Sequence, residues 1–214
     1  MYLASQSPRR RQLLEAAGFS LAIMPADIDE ARRCAETPTH LVERLARQKA
    51  EATRVSLAGT ATEDVLLAAD TIVWTEDGDV LGKPKDKTAA RTMLRGLSGC
   101  AHHVSTGVCL MHLDHDAQVL ASRSFVETTR VSFFPLADDE IDAYIASGEP
   151  MDKAGAYGIQ GRGRLLVSDI KGDWANVVGL PVARVVRELE SLLGRSGLVA
   201  SCLEGKTSHI RNYH

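Results

Sequence analysis

The sequence predicts an α/β protein with a mixed sheet, and three observations point there. Two segments with apolar residues at helical spacing open on a hydroxyl N-cap followed by proline, at Ser7-Pro8 and Thr37-Pro38. A nearly unbroken apolar run over 65–74 reads as a strand buried on both faces. Helical and strand-like stretches then alternate to about Leu193, the pattern of helices packed on a sheet.

Tyr2-Leu3-Ala4 is a short strand in this reading. Ser7 caps a helix starting at Pro8, with Leu13, Leu14 and Ala17 on its apolar face and a stop at Gly18. Residues 19–24 alternate weakly as a strand, and the acidic loop Asp27-Ile28-Asp29-Glu30 follows. The helix opened by Thr37-Pro38 carries the stripe Leu41, Val42, Leu45 and Ala46. Asp77-Gly78 reads as a hairpin turn, and 88–97 as a helix ended by Ser98-Gly99. Two long strands, 102–113 and 119–134, meet at Asp114-His115-Asp116. A helix over 137–147 closes at Gly148, a glycine-rich loop fills 149–163, and a strand covers 165–170. Pro181 starts the last clear helix. Residues 194–214 lack strong periodicity, so one domain over 1–193 is expected, with a tail that either lacks regular structure or docks.

Composition removes several classes. Hydrophobic residues at 44% and charged ones at 25% fit a globular chain rather than a disordered one. No apolar run reaches the ~18 residues of a membrane helix, and the first residues lack the pattern of a signal peptide, so a cytoplasmic protein is expected. A net charge of −3 with only 5% aromatic residues argues against nucleic acid as a partner. Cys34, Cys100, Cys109 and Cys202 form no CxxC pair, which leaves neither a zinc site nor a disulfide framework and suggests buried thiols.

Some residues break their local pattern. Asp70 interrupts the apolar run, where a carboxylate needs a partner: it either caps a turn at the strand end or pairs with a nearby arginine, or it acts as a general base or metal ligand. Lys49 continues the i, i+4 series of Leu41 and Leu45, and either snorkels past Ala46 and Ala50 to water or serves a site. Ser5-Gln6-Ser7-Pro8-Arg9-Arg10-Arg11 puts three arginines on a helix N-terminus, against the helix dipole. An anion there would offset the conflict. Gly82-Lys83-Pro84 presents a lysine on a tight loop, and 153–161 has the glycines of a close-fitting ligand loop without matching a standard phosphate motif. His102-His103 alternates across a strand, so the two rings cannot share a metal.

Together these segments resemble the Maf family of nucleoside triphosphate pyrophosphatases. The matching stretches are LASQSPRR (3–10), RLARQKA (44–50), AADTIV (68–73), LGKPKD (81–86), LSGCAHHVSTGV (97–108), EPMDKAGAYGIQG (149–161) and NVVGLP (176–181). The resemblance implies an elongated fold with two lobes around a central cleft, related to the inosine triphosphate pyrophosphatases. It also implies a homodimer and a divalent cation, Mg or Mn. Arg9, Thr71 and Gln160 match the branch acting on dTTP and UTP, rather than the one acting on 7-methylguanosine triphosphate. The chemistry then expected is attack of water on the α-phosphorus, with Asp70 as general base or, with Glu30, as metal ligand. Arg10, Lys49 and Lys83 would neutralise the phosphates, and Ser5 and Ser7 would seat them. The alternatives are the same reaction on 7-methyl-GTP or a non-canonical purine triphosphate, or a nucleotide-sensing module of septum inhibition acting through a partner.

Overall fold

The structure, a computed structural model, describes residues 1–59 and 63–205. Its strands are β1 (Tyr2–Leu3), β2 (Ala22–Ile23), β3 (Asp64–Thr75), β4 (Val80–Leu81), β5 (Ala101–Leu113), β6 (Val119–Phe133) and β7 (Val167–Lys171). The helices are α1 (Pro8–Ala16), α2 (Pro38–Ser56), α3 (Lys87–Leu97), α4 (Asp138–Ala146), α5 (Trp174–Val178), α6 (Val182–Leu193) and α7 (Leu198–Leu203). The strands make a mixed seven-stranded sheet in the order β2-β1-β3-β5-β6-β7, with β4 paired to β3. This is the α/β class that the sequence predicts.

The chain divides into two compact units. The first holds Met1–Asp70, Thr106–Val126 and Gly179 onward; the second holds Thr71–Ser105 and Glu127–Val178.

In the first unit β1 runs parallel to β2 and β3, pairing Tyr2 with Leu66 and Leu3 with Leu67. The period of two along β3 then sorts the core. Val65, Leu67 and Ala69 join Leu3, Val108 and Leu110 against Leu14 of α1 and Val185, Val186 and Leu189 of α6. Leu66 and Ala68 join Tyr2, Ala4 and Cys109 against Ala46 and Ala50 of α2. Both faces are covered, which is why the run carries no alternation in polarity. Fully burying a leucine such as Leu66 or Leu67 contributes roughly 1.5–3 kcal/mol.

The second unit packs one face of β3, β5 and β6, with Val73, Val104, Val131 and Phe133, against α3 and α4 through Leu94, Leu97, Ile141 and Ile145. Here β4 pairs antiparallel with β3, and β7 antiparallel with β6, matching Arg130 to Lys171. The hairpin turn falls at Asp77-Gly78, where Gly78 has φ 88°.

Both expected caps form: Ser7 Oγ accepts from Arg10 N at 3.4 Å, and Thr37 Oγ1 from His40 N at 3.3 Å. Several expectations need correction. β2 is only two residues long, and both are exposed. Leu165 lies in a 3-10 turn, Arg162–Leu166, so β7 starts at Val167. Helices α5 and α7 were not expected from periodicity; each is too short to display an apolar stripe. α7 turns Leu198, Val199 and Cys202 onto the first unit's core, while Glu190 accepts from the Leu198 and Val199 amides. Residues 206–214 of the expected tail lie outside the described residues. The cysteines are free, but only Cys109 is buried: Cys34 and Cys100 are exposed and Cys202 is intermediate. No helix among the described residues is long and apolar enough to cross a membrane.

Candidate active site

Asp70 ends the first chain segment of the first unit and keeps only 9% of its surface open. Strand alternation puts it on the face of Leu66 and Ala68, the face that α2 covers. On α2 the step of four from Leu41 and Leu45 brings Lys49 to that same face, and Lys49 Nζ donates to Asp70 Oδ1 at 2.6 Å. Lys49 therefore does not snorkel past the helix to water: its side chain is 12% exposed and points at the carboxylate.

Glu30 Oε1 stands at the same distance, 2.6 Å, from Lys49 Nζ. The acidic loop that carries Glu30 is fixed on α2 by Arg44, which binds both oxygens of Glu36 at 2.7 and 2.8 Å and the Ala31 carbonyl at 3.0 Å. Those hydrogen bonds hold the Glu36 carboxyl down at about 2, against the opposing effect of burial.

The three arginines of α1 part company. Arg11 turns out to Glu15 at 2.7 Å on the surface. Arg10 turns inward: its Nε donates to the Gly179 carbonyl at 2.9 Å and its Nη1 to Ser5 Oγ at 3.1 Å. Some of its surface stays open, yet the protein packed around it lowers its pKa by desolvation, which the charges of Asp70 and Glu30 oppose and that of Arg9 reinforces. A guanidinium stays protonated through such a shift, so Arg10 is a fixed cation beside two carboxylates. Ser5 Oγ also accepts from the Ser7 amide at 3.2 Å. The amides of Ser7 and Arg10 are thus taken up by the segment's own hydroxyls.

Lys83, Thr71 and Gln160 belong to the second unit. Lys83 is exposed beside the buried Pro84, and a bond from Gly155 N to Gly82 O at 3.1 Å ties its loop to the start of the glycine-rich loop. Gln160 is exposed near the end of that loop and lines an open groove of about 660 Å³ with Ile159, Arg164, Asp169 and Trp174. His102 and His103 face opposite ways: His102 is buried against the Tyr157 hydroxyl at 2.9 Å, and His103 stacks on Trp74.

Sequence reasoning missed two supporting residues. Gly107 lets the α2 backbone lie directly on β5, since a Cβ there would come within 2.2 Å of the Val42 carbonyl oxygen. A glycine inside a strand pattern is the signal for such an approach. Gly179 supplies the carbonyl that anchors Arg10, a contact 169 residues away in sequence that no local pattern announces.

A divalent cation can be tested against these donors. Glu30 Oε1 and Asp70 Oδ1 are both paired with the Lys49 ammonium, so a cation here would take their other oxygens, and Mg or Mn favours oxygen ligands, often one or two carboxylates completed by substrate phosphate. Among the described residues no group of three or more His, Cys, Asp or Glu gathers for a metal. The residues present fit a two-carboxylate site that a phosphate completes, rather than an all-protein cage.

The Maf-like protein family model matches residues 1–192. The chain belongs to the Maf family. Among its curated relatives is a dTTP/UTP pyrophosphatase of Carboxydothermus hydrogenoformans, 50% identical over 189 residues, which cover 88% of this chain and 96% of that one. Proteins of the same name from a Geobacillus species and from Bacillus anthracis are 48% and 46% identical, over 90% and 88% of this chain and 97% and 93% of theirs. For this Maf protein the order of segments in the sequence and the first unit's charge cluster now have one context.

Proposed function

We propose that this Maf protein hydrolyses dTTP and UTP to the nucleoside monophosphate and pyrophosphate. The observation that carries the reading is the buried Asp70 carboxylate held by Lys49 with Glu30 and Arg10 beside it, in a chain about half identical to proteins named for that activity. Water attacks the α-phosphorus, its proton passes to Asp70, and the bond from that phosphorus to the bridging oxygen breaks to release pyrophosphate. Arg10 and Lys49 neutralise phosphate charge from rigid positions, which is where most of the acceleration of such a transfer arises. Ser5 and Ser7 orient the phosphate end. Lys83 adds a further cation, and Arg9, Thr71 and Gln160 set the preference for a pyrimidine, Gln160 by offering both a donor and an acceptor to the base edge. These last assignments rest on the family resemblance.

Glu30 and Asp70 would hold Mg or Mn, which when bound offsets phosphate charge and polarises the reacting phosphorus; this ligand role of Asp70 is the alternative to its role as base, not an addition to it. A homodimer in the cytoplasm completes the proposal. Pyrophosphate release with Mg or Mn across dTTP, UTP, CTP, 7-methyl-GTP and ITP tests it. Preference for dTTP and UTP is expected. Turnover of 7-methyl-GTP or ITP alone keeps the reaction and overturns the substrate, and turnover of none favours a sensing role. Light scattering on the eluting protein measures the oligomer.

A further inference from the structure

The glycine-rich loop of the second unit is held by a carboxylate that no part of the proposed chemistry uses. Glu149 begins the 3-10 turn Glu149–Asp152 and reaches across the loop's far end. Its Oε2 accepts from the Arg162 amide at 2.9 Å, and its Oε1 from the Gly163 amide at 3.2 Å and the Tyr144 hydroxyl at 3.0 Å. The same hydroxyl accepts from the Gly158 amide at 3.0 Å. Two side chains, Tyr144 and Glu149, thereby bind the backbone on both sides of Gln160, at 158 and at 162–163.

The glycines are what let the carboxylate in. A Cβ at Gly161 would lie 2.3 Å from Glu149 Oε1, and one at Gly163 2.6 Å from Tyr144 Oη and 2.7 Å from the Gly158 carbonyl oxygen. A side chain at Gly161 would displace the Glu149 carboxylate, and one at Gly163 would also strike the Gly158 backbone, so the loop itself would have to move. Burial would by itself raise the Glu149 pKa, but the Arg162 and Gly163 amides, the Tyr144 hydroxyl and the charge of Lys153 together hold it below the ordinary carboxylate value. The carboxylate is therefore a charged acceptor for backbone donors, and charge-assisted bonds of this kind are the stronger ones.

We propose that Glu149, through Tyr144 and the 158, 162 and 163 amides, is a positioning residue that fixes Gln160 for selection of the base. It rests on the reading of Gln160 as the residue that senses the pyrimidine. A loop fixed only at its ends would let the carboxamide sample several directions, and discrimination by hydrogen bonding depends on holding it in one.

The test compares kcat and KM for UTP and CTP in the wild type and four variants: Glu149→Gln, Tyr144→Phe, Gln160→Ala and the double variant Glu149→Gln/Gln160→Ala. Glu149→Gln keeps the shape but sets an amide donor against backbone donors. The expected result is a fall in UTP-over-CTP preference on the order of ten- to a hundredfold. It is carried by KM for UTP, with Tyr144→Phe shifting the same way by less. The double variant should be no less selective than Gln160→Ala alone. An equal loss on both nucleotides, or losses that add in the double variant, would mark Glu149 as merely structural and overturn the proposal. If Gln160→Ala itself keeps the preference, the reading of Gln160 fails instead. Hydrogen exchange at the 158–163 amides then decides the clamp alone: faster exchange in Glu149→Gln supports it, and unchanged exchange overturns it.

Discussion

The Asp70 cluster of the first unit and the Gln160 loop of the second are held by different forces. Around Asp70 the fixing contacts run between side chains of opposite charge, Lys49 to Asp70 and Glu30 and Arg44 to Glu36, with both cations on α2 and the carboxylates on β3 and on the loop before α2. Around Gln160 the contacts run from backbone amides to a tyrosine and a glutamate, and glycines make room for them. The difference matches the proposed tasks. Phosphate needs fixed charge, whereas a base edge needs a fixed direction of a neutral group. Charge can be delivered by a long side chain on a rigid element, but direction has to be built into the loop itself.

The largest effect should come from removing charge at the first cluster. Asp70→Asn keeps the shape and is expected to lower kcat by ~100-fold or more; near-normal turnover would remove Asp70 from the chemistry. Lys49→Met leaves the Asp70 carboxylate buried without its ammonium, and a urea titration should show a loss of about 3 kcal/mol, partly restored in Lys49→Met/Asp70→Asn. If the single variant melts like the wild type, the pair is not what holds this region.

Gly107→Ala probes whether the first cluster also depends on backbone approach. Its Cβ would strike the backbone of α2, and overpacking of this kind costs roughly 1–3 kcal/mol. Activity should fall with it, because Lys49 rides on that helix. A stable, active Gly107→Ala protein would mean that α2 can lift without disturbing the pair.

Acid should separate the two regions. Burial, reinforced by His103, pushes the His102 pKa down to about 4, so folding keeps the ring neutral where the unfolded chain protonates it near 6.5. The unfolded state binds the extra proton between those values, and stability falls as pH drops from 6.5 towards 4. Glu36 has the opposite charge type and a lower range. Its stabilisation is full above about 4.5 and is lost only as pH falls towards about 2. The His102 side, which includes the Tyr157 contact to the glycine-rich loop, therefore weakens first. Melting curves at pH 7 and pH 5 should differ, and His102→Asn should shrink that difference; an unchanged difference would assign it to other groups.

The smallest effect is a control outside both regions. Gly96 is exposed inside α3 with open space where a Cβ would go, so Gly96→Ala should stabilise by roughly 0.5–1 kcal/mol in the same titration and leave turnover alone.

Much of this is legible in the chain. The α/β class, both proline-led helices, the hairpin at Asp77-Gly78 and the odd carboxylate at Asp70 follow from caps, turn residues and a break in hydrophobic patterning, all of which act within a few residues. Lys49 was visible as a lysine on an apolar stripe, but its target was not. Local spacing gives the face a side chain occupies and says nothing of what lies opposite. The same limit hid Gly179 behind Arg10 and Glu149 behind Gly161, and it led to the expectation of buried thiols where Cys34 and Cys100 are exposed. The sequence by itself determined which elements form, which faces are apolar and which residues sit awkwardly in them, because those are short-range matters of period, propensity and capping. Only the tertiary structure decided which awkward residues meet. Lys49 finds Asp70 through the register of β3 and the seating of α2 on Gly107, and a register between distant segments is set by packing that no local stretch of sequence contains.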